Sequence, residues 1–564
     1  MASITPPSPT KSQPSQREAG EKEQSLSTPP SDDLEPESNQ VPDPETMTAP
    51  ATEDHEWVSG IKLLSILVAI TLVCFLMLLD TSIVVTAIPN ITSDFHSLPD
   101  VGWYGSAYQL AGAALQPLTG KLYSNLHSKW TFVAFFAIFE LGSLICGVAT
   151  SSKILIVGRA VAGIGTSGIL NGAFTIIADC VPMAKRPTII GFVTGVSQLG
   201  LVIGPLLGGA LTQYATWRWC FYINLPIGGI VAAMLAFVHI PDTIPKPKPM
   251  SVLRTLPSKL DLVGFALFAP AAIQLLLALQ YGGNQYAWDS AQIIGLFCGA
   301  GGTFIAFLVW DFYKGDEAMI PFSMVRRKIV WASCLVYACL MGQLFCASYY
   351  LPIYFQGVKG ASPTLSGVYL LPGVLSHLLS AVGSGMLVGR LGYYLPFSIS
   401  SAILVAIGNG LLSTLSPGTS TGKWIGYQIL AGTGRGLGLQ IPIIAVQNTL
   451  PPAQISVAMA LVMFSQTFAG AIFLSLSDTI FTNGLETLIP RYAPSVDPQI
   501  IINAGATGFR TIVRGTDLAN VLVAYAESVD RVFYFTAGLA VACFTFAWAM
   551  GWKDIRKKSE VSKA

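Results

Sequence analysis

Charge is what this chain has least of. Asp, Glu, Lys and Arg make up 11% of its 564 residues and hydrophobic residues 52%, whereas a soluble domain carries about 25% charge. That scarcity excludes a soluble fold and points to a chain that lives in lipid. The formal net charge is +1 and the charges fall between apolar runs, so no nucleic-acid or acidic partner is expected. Nine cysteines lie mostly inside those runs, with no CxxC pair or metal-ligand spacing, which leaves small core residues, no disulfide framework and no metal site. No phosphate-binding G-x-x-x-x-G-K-[ST] loop occurs, so the chain lacks an ATP motor of its own, and neither a nucleophile elbow nor an HExxH pair is present. "GIGTSG" from Gly163 satisfies G-x-G-x-x-G, but it sits in an apolar helical run with no preceding strand, so its glycines pack helices and no cofactor is expected. The first 30 residues hold no apolar stretch with a small-residue cleavage site, so the first span acts as its own insertion signal.

What is present is a series of apolar runs, each near the roughly 20 residues that a membrane helix needs. Hydropathy gives about fourteen spans, near 61–86, 102–121, 130–149, 154–178, 188–212, 219–240, 261–280, 291–311, 331–354, 366–388, 395–415, 424–446, 457–480 and 531–552. The expected fold is therefore all-α and polytopic. Residues 1–56 are rich in Pro, Ser and Glu and read as a disordered tail. The even count puts both termini on one side, and the basic loops at 121–129, 185–186, 246–259, 314–328, 390 and 553–558 share it, against Lys153, Arg218, Lys359 and Lys423 opposite. The positive-inside rule makes that side cytoplasmic. One sequon, at Asn90, falls on the external side close to the first span and is a glycosylation candidate that this closeness disfavours. The longest external connection, 482–530, has helical spacing and is expected to lay a short amphipathic helix on the outer surface.

An internal repeat divides the chain. "GKLYSNLHSKW" from Gly120 and "GMLVGRLGYYL" from Gly385 share a spacing, and "AGIGTSGI" from Ala162 is echoed by "AGTGRGLG" from Ala431. Two six-helix halves follow, 57–241 and 329–552, with 242–328 a linker carrying an inserted pair of helices and 553–564 a cytoplasmic tail. Parallel repeats of this kind mark a secondary transporter whose substrate site lies between halves near the midplane.

The fifth run, "SQLGLVIGPLLGGALTQY" from Ser197, spaces Gly200, Gly204 and Gly208 four apart, adds Gly209, and bends at Pro205. In lipid, close packing through small residues drives helix association, so the stripe is expected to form a tight contact between the fifth and eighth helices that seals one end of a central pathway. "GLVIGPLLGG" resembles the G-x-x-x-G-P-x-x-G-G antiporter motif of major facilitator superfamily drug exporters. "WRWCFYINLPIGG" from Trp217, "LDTSIVVTAIPNI" from Leu79 and "IVGRAVAGIG" from Ile156 are similar to motifs of that family's fourteen-span drug:proton branch. The resemblance runs from first span to last and implies a major facilitator fold and proton-coupled export of drugs or toxins across the plasma membrane, of a fungal type given the tail and "FELGSLICGVA". One departure stands out. Ser124, Asn125, His127 and Ser128 occupy places where the family's loop after the second helix carries charges and glycine, which weakens that charge lock.

Charges inside spans cost roughly 2.5–3.5 kcal/mol on insertion scales and so line a cavity or hold a partner. Asp80, followed by Thr81 and Ser82 late in span 1, is the candidate proton carrier, with Asp478 on span 13 the next; the resemblance makes Arg159 its partner. Arg435 sits mid-span and is expected to face the cavity. Gln109 and Gln116 share a face of span 2, and Gln343, Tyr349, Tyr350, Tyr354 and His377 lie on spans 9 and 10, a mixture that suits bulky, partly aromatic solutes. The partners implied are a small-molecule substrate, protons and the bilayer, with the chain working as a monomer. A membrane enzyme or a sensor would need a reactive constellation or a signalling domain, and neither is visible. The rival among transporters is an importer or vacuolar carrier of a siderophore or basic amino acid, against which the scarcity of buried acids argues.

Overall fold

The computed structural model describes residues 57–95, 100–242, 246, 259–283 and 286–556. The tail 1–56 and most of the linker 243–258 lie outside them. Long apolar runs without interior charge form helices because every backbone N–H and C=O must be satisfied within the segment. Here they are α1 (Gly60–Phe95), α2 (Val101–Asn125), α3 (Ser128–Gly147), α4 (Ser152–Cys180), α5 (Arg186–Tyr214), α6 (Trp219–Phe237), α7 (Leu262–Tyr281) and α8 (Ala291–Lys314). They continue as α9 (Lys328–Val358), α10 (Pro363–Leu391), α11 (Leu395–Leu412), α12 (Thr421–Thr449), α13 (Pro452–Tyr492), α14 (Pro498–Ile512) and α15 (Gly515–Ala549). Among the described residues 13 helices are long and apolar enough to cross a membrane. The more polar α2, 25 residues long, packs among them against α4 and α13.

Helices α1 to α6 pack on one another, as do α9 to α13 with α15, while α7 and α8 form a pair whose α7 reaches α2 and α13. Gln280 Nε2 of α7 donates to Ser106 of α2, and Ser475 Oγ of α13 donates to the Leu279 carbonyl at 3.1 Å.

The repeat is visible in matched contacts. Asn171 Nδ2 of α4 donates to Thr119 Oγ1 of α2 at 3.0 Å, and Gln440 Nε2 of α12 donates to Ser384 Oγ of α10 at 2.5 Å. Likewise Ala162 lies against the α-carbon of Gly142, and Ala431 against that of Gly408.

Two expectations need correcting. Segment 482–530 does hold a short amphipathic helix, Pro498–Ile512, but it is mostly helix and not a loop. Hydropathy stops where water begins, but the helices continue, α13 to Tyr492 and α15 from Gly515. Between them α14 docks on protein: Phe509 stacks on Tyr525 with centroids 4.9 Å apart, and Arg510 donates to the carbonyls of Gly357 and Val358 at 2.8 Å, closing the end of α9. The second correction concerns the glycine stripe. Gly200, Gly204 and Gly208 lie against Phe75, Leu79, Ser82, Ile83 and Thr86 of α1, not against α8, and Gly209 faces open space. Pro205 has no N–H for the Leu201 carbonyl, yet α5 stays continuous, and Ser82 Oγ of α1 donates to the neighbouring Gly200 carbonyl at 3.0 Å.

At the end where α1 begins and α15 finishes, one apolar core runs through both six-helix groups, from Ile66 and Ile177 to Val330, Ile443 and Val457. At the opposite end it separates into one cluster per group, Ile83, Tyr104 and Phe221 in the first and Tyr354, Phe509 and Phe533 in the second. The molecule is thus closed by apolar packing at the terminal end. Backbone approach is closest there between α5 and α10, where Gly191 meets the Ala381 carbonyl and Gly385 meets the Pro187 carbonyl.

Candidate functional site

The first helix carries the site. Asp80 is fully buried and its Oδ2 stands 2.6 Å from Arg159 Nη1 of α4, itself 1% exposed. Arg159 Nε donates to the Tyr104 carbonyl of α2 at 2.8 Å, and its guanidinium lies 4.2 Å from the Tyr108 ring centroid, a favourable cation–π distance. Asn224 Nδ2 of α6 donates to Asp80 Oδ1 at 3.2 Å and to Ser143 Oγ of α3 at 3.0 Å. Five helices therefore converge on one ion pair, and the sixth, α5, meets α1 at Ser82. The Coulomb gain of a buried pair offsets its desolvation only when the remaining lone pairs and protons are also satisfied, which Tyr104, Tyr108 and Asn224 do here.

Asn224 had no role assigned from sequence, although an amide in the apolar run "INLPIGG" was a visible signal. Glu140 was missed as well. It lies on α3 with both carboxylate oxygens buried and without a hydrogen-bond partner, against the α-carbon of Gly228.

Other candidates are not gathered. Gln116 accepts from Thr467 Oγ1 of α13 at 3.0 Å, while Gln109 is exposed. Gln343 turns to α11, accepting from Asn409 at 3.1 Å. Tyr354 donates to the Ser416 carbonyl at 2.8 Å and Tyr350 packs on Phe481, so both belong to an apolar core. Tyr349 and Asp478 are exposed on α9 and α13. His377 of α10 and Arg435 of α12 are both buried, on helices that meet where Gly436 rests on the His377 carbonyl. Asn90 is exposed inside the last turns of α1.

The altered loop after α2 has its own ties. Ser124 and Asn125 turn back onto the carbonyls of Gly120 and Lys121 at 2.8 Å. His127 Nδ1 instead meets Asp242 Oδ2 at 2.7 Å, Asp242 Oδ1 accepts from the Ser128 backbone and from Lys246, and Ser128 Oγ donates to Asp179 at 3.0 Å. Burial pushes the Asp242 carboxyl up, but the Lys246 ammonium and the Ser128 N–H outweigh it and the net direction is down. A carboxylate with a depressed folded value contributes stability above the ordinary carboxylate range and loses it as pH falls through the lowered value. Asp242→Asn should therefore lower the unfolding midpoint at pH 7 by about 1 °C, for a loss on the order of 1 kcal/mol in a chain of this length, with the two proteins converging only as pH falls below the ordinary carboxylate value through the lowered one. Equal midpoints at pH 7 would show the cluster to be idle.

Comparison with known proteins agrees with this architecture. Residues 70–474 match the family described as Major Facilitator Superfamily. The chain is 65% identical over 505 residues to the MFS-type transporter pigP of Monascus ruber, covering 90% of this chain and 89% of that one. It is 53% identical over 522 residues to the efflux pump mlcE of Penicillium citrinum, covering 91% and 94%. Among solved structures, the proton:xylose symporter XylE aligns at 16% identity with a TM-score of 0.54, over 89% of this chain and 98% of that one, a likeness of fold. Taken with the helical bundle and its repeat, these matches make the chain a polytopic membrane transporter that belongs to the Major Facilitator Superfamily.

Proposed function

We propose that this transporter exports small amphipathic organic compounds, such as drugs, toxins or other secondary metabolites, across the plasma membrane in exchange for protons, working as a monomer with both termini in the cytoplasm. Helices α1–α6 and α9–α15 are its two moving halves and α7–α8 an inserted pair. The observation that carries the reading is the Asp80–Arg159 pair. It removes an acid from water at the junction of one half and ties it to a cation that also holds α2. Protonating Asp80 discharges that pair and leaves Arg159 to the Tyr104 carbonyl and the Tyr108 ring, which loosens α1 against α4 and α6. Substrate and proton then exchange across two arrangements of the halves. The name "efflux pump" borne by a relative 53% identical supports the direction of transport. The unpaired Arg435 weighs against a basic amino acid as cargo.

The test is efflux from cells loaded with a fluorescent amphipathic dye. A protonophore should stop it within the time needed to collapse the gradient, and a tag after Ala564 should be reachable only in permeabilised cells. Efflux that survives the protonophore and fails only on ATP depletion would refute proton coupling.

A further inference from the structure

In the repeat, α2 corresponds to α10 and α4 to α12. The Asn171–Thr119 bond of one half is the Gln440–Ser384 bond of the other, and Gly163 against the Tyr108 carbonyl matches Gly432 against the Gly373 carbonyl. In this register Thr166 and Arg435 each stand five residues before the amide, and Gly112 and His377 each seven before the hydroxyl. The two positions adjoin in the first half, where a Cβ on Gly112 would meet Thr166 Oγ1 at 3.4 Å. The second half places a guanidinium and an imidazole where the first has a hydroxyl and a hydrogen atom.

Neither group is compensated. Arg435 is 5% exposed with Nε and Nη1 buried and without a hydrogen-bond partner, and His377 is 3% exposed with both ring nitrogens in the same state. Among the described residues no ion pair includes Arg435, whereas Arg159 has Asp80. No acid stands on its own helix or on α5, α9, α10 or α11. An uncompensated cation at such a depth is costly, and these donors ask for an anion that no described residue supplies.

We propose that Arg435 and His377 form a subsite for the acidic head of the transported molecule, a carboxylate on an amphipathic organic body. Two carboxylate oxygens can accept from the free guanidinium N–H groups and from an imidazole N–H together. The inference rests on the export reading, since it takes the occupant to be the cargo.

The experiment uses the purified full chain in phosphatidylcholine nanodiscs with two probes of one body, pyrenebutyrate and its methyl ester. The acid should bind at least about tenfold tighter than the ester, a gap of about 1.4 kcal/mol. Arg435→Gln should bring the two affinities within about twofold of each other with the ester unchanged, and His377→Gln should narrow the gap in part. The empty Arg435→Gln protein should unfold no earlier than the parent, because an unpaired charge has gone, whereas loss of a structural arginine lowers the midpoint. Equal binding of acid and ester by the parent, no binding of either, or a preference kept by Arg435→Gln would overturn the subsite. So would phosphatidylglycerol in the nanodisc erasing the acid's advantage, which would assign the place to a lipid headgroup. Transport separates the two readings. An ester pumped out with no preference for the acid sinks the subsite alone. An acid bound through Arg435 but never accumulated against a gradient sinks export and leaves the subsite standing.

Discussion

Asp80→Asn should abolish transport against a gradient and, unlike most polar substitutions, should also destabilise the protein severely. The amide keeps the shape of the carboxylate, so the hydrogen bonds from Asn224 and Arg159 can persist in part. What goes is the charge, and it leaves Arg159 buried at 1% exposure with no counter-ion, held only by neutral groups. Removing one partner of a buried pair costs about 3–5 kcal/mol, much of it the penalty of the charge left behind. The double variant Asp80→Asn with Arg159→Gln removes both charges and should recover most of the lost midpoint. It should not recover uphill transport, because the acid of the pair is then gone. Stability and transport, read together in the single and double variants, distinguish a structural pair from a working one. Gradient-dependent accumulation by the double variant at the parent rate would reduce Asp80 and Arg159 to scaffolding and move the carrier role to Glu140 or Asp478.

Much of this site was legible in the sequence because charge in lipid is rare. Asp80 and Arg159 are conspicuous in apolar runs, and the structure places them 2.6 Å apart. The repeat was legible for a similar reason, since glycines at fixed spacing record where two backbones approach. Neither signal names a neighbour. The stripe at Gly200, Gly204 and Gly208 declares a close contact, and nothing in a linear sequence tells α1 from α8. Polar residues in the spans also serve one helix against another: Gln343 bonds to Asn409 of α11 and Tyr354 to the Ser416 carbonyl, contacts that composition cannot tell from a cavity lining. The loop after α2 showed its losses at Ser124 to Ser128, but not its gain from Asp242, which lies 115 positions beyond His127.

The corrected place of the glycine stripe separates two substitutions that sequence alone would treat alike. Gly204 lies inside one half. A side chain there runs into Ser82 Oγ and the Ile83 backbone of α1, so Gly204→Leu should damage the packing of α1–α6 and reduce the amount of protein in the membrane. Gly191 lies between halves, where its α-carbon rests on the Ala381 carbonyl of α10. A Cβ at Gly191 first meets the Ala381 carbonyl and Gln440 Oε1 of the facing half, not its own half, so Gly191→Leu should reach the membrane at the parent level. Its bulk can be accommodated only by parting α5 from α10 at the terminal end. Overpacking of this kind costs about 1–3 kcal/mol, charged here against the closed arrangement alone, which shifts the balance between arrangements by roughly 5- to 150-fold. Ser456, which lines a cleft at that end with Thr175, Ala178 and Gln447, reports the shift. In a Ser456→Cys background, Gly191→Leu should speed labelling by a thiol reagent applied from the terminal side by about tenfold or more, and should abolish net export. Labelling and export both at the parent rate would show that α5 and α10 do not part during transport.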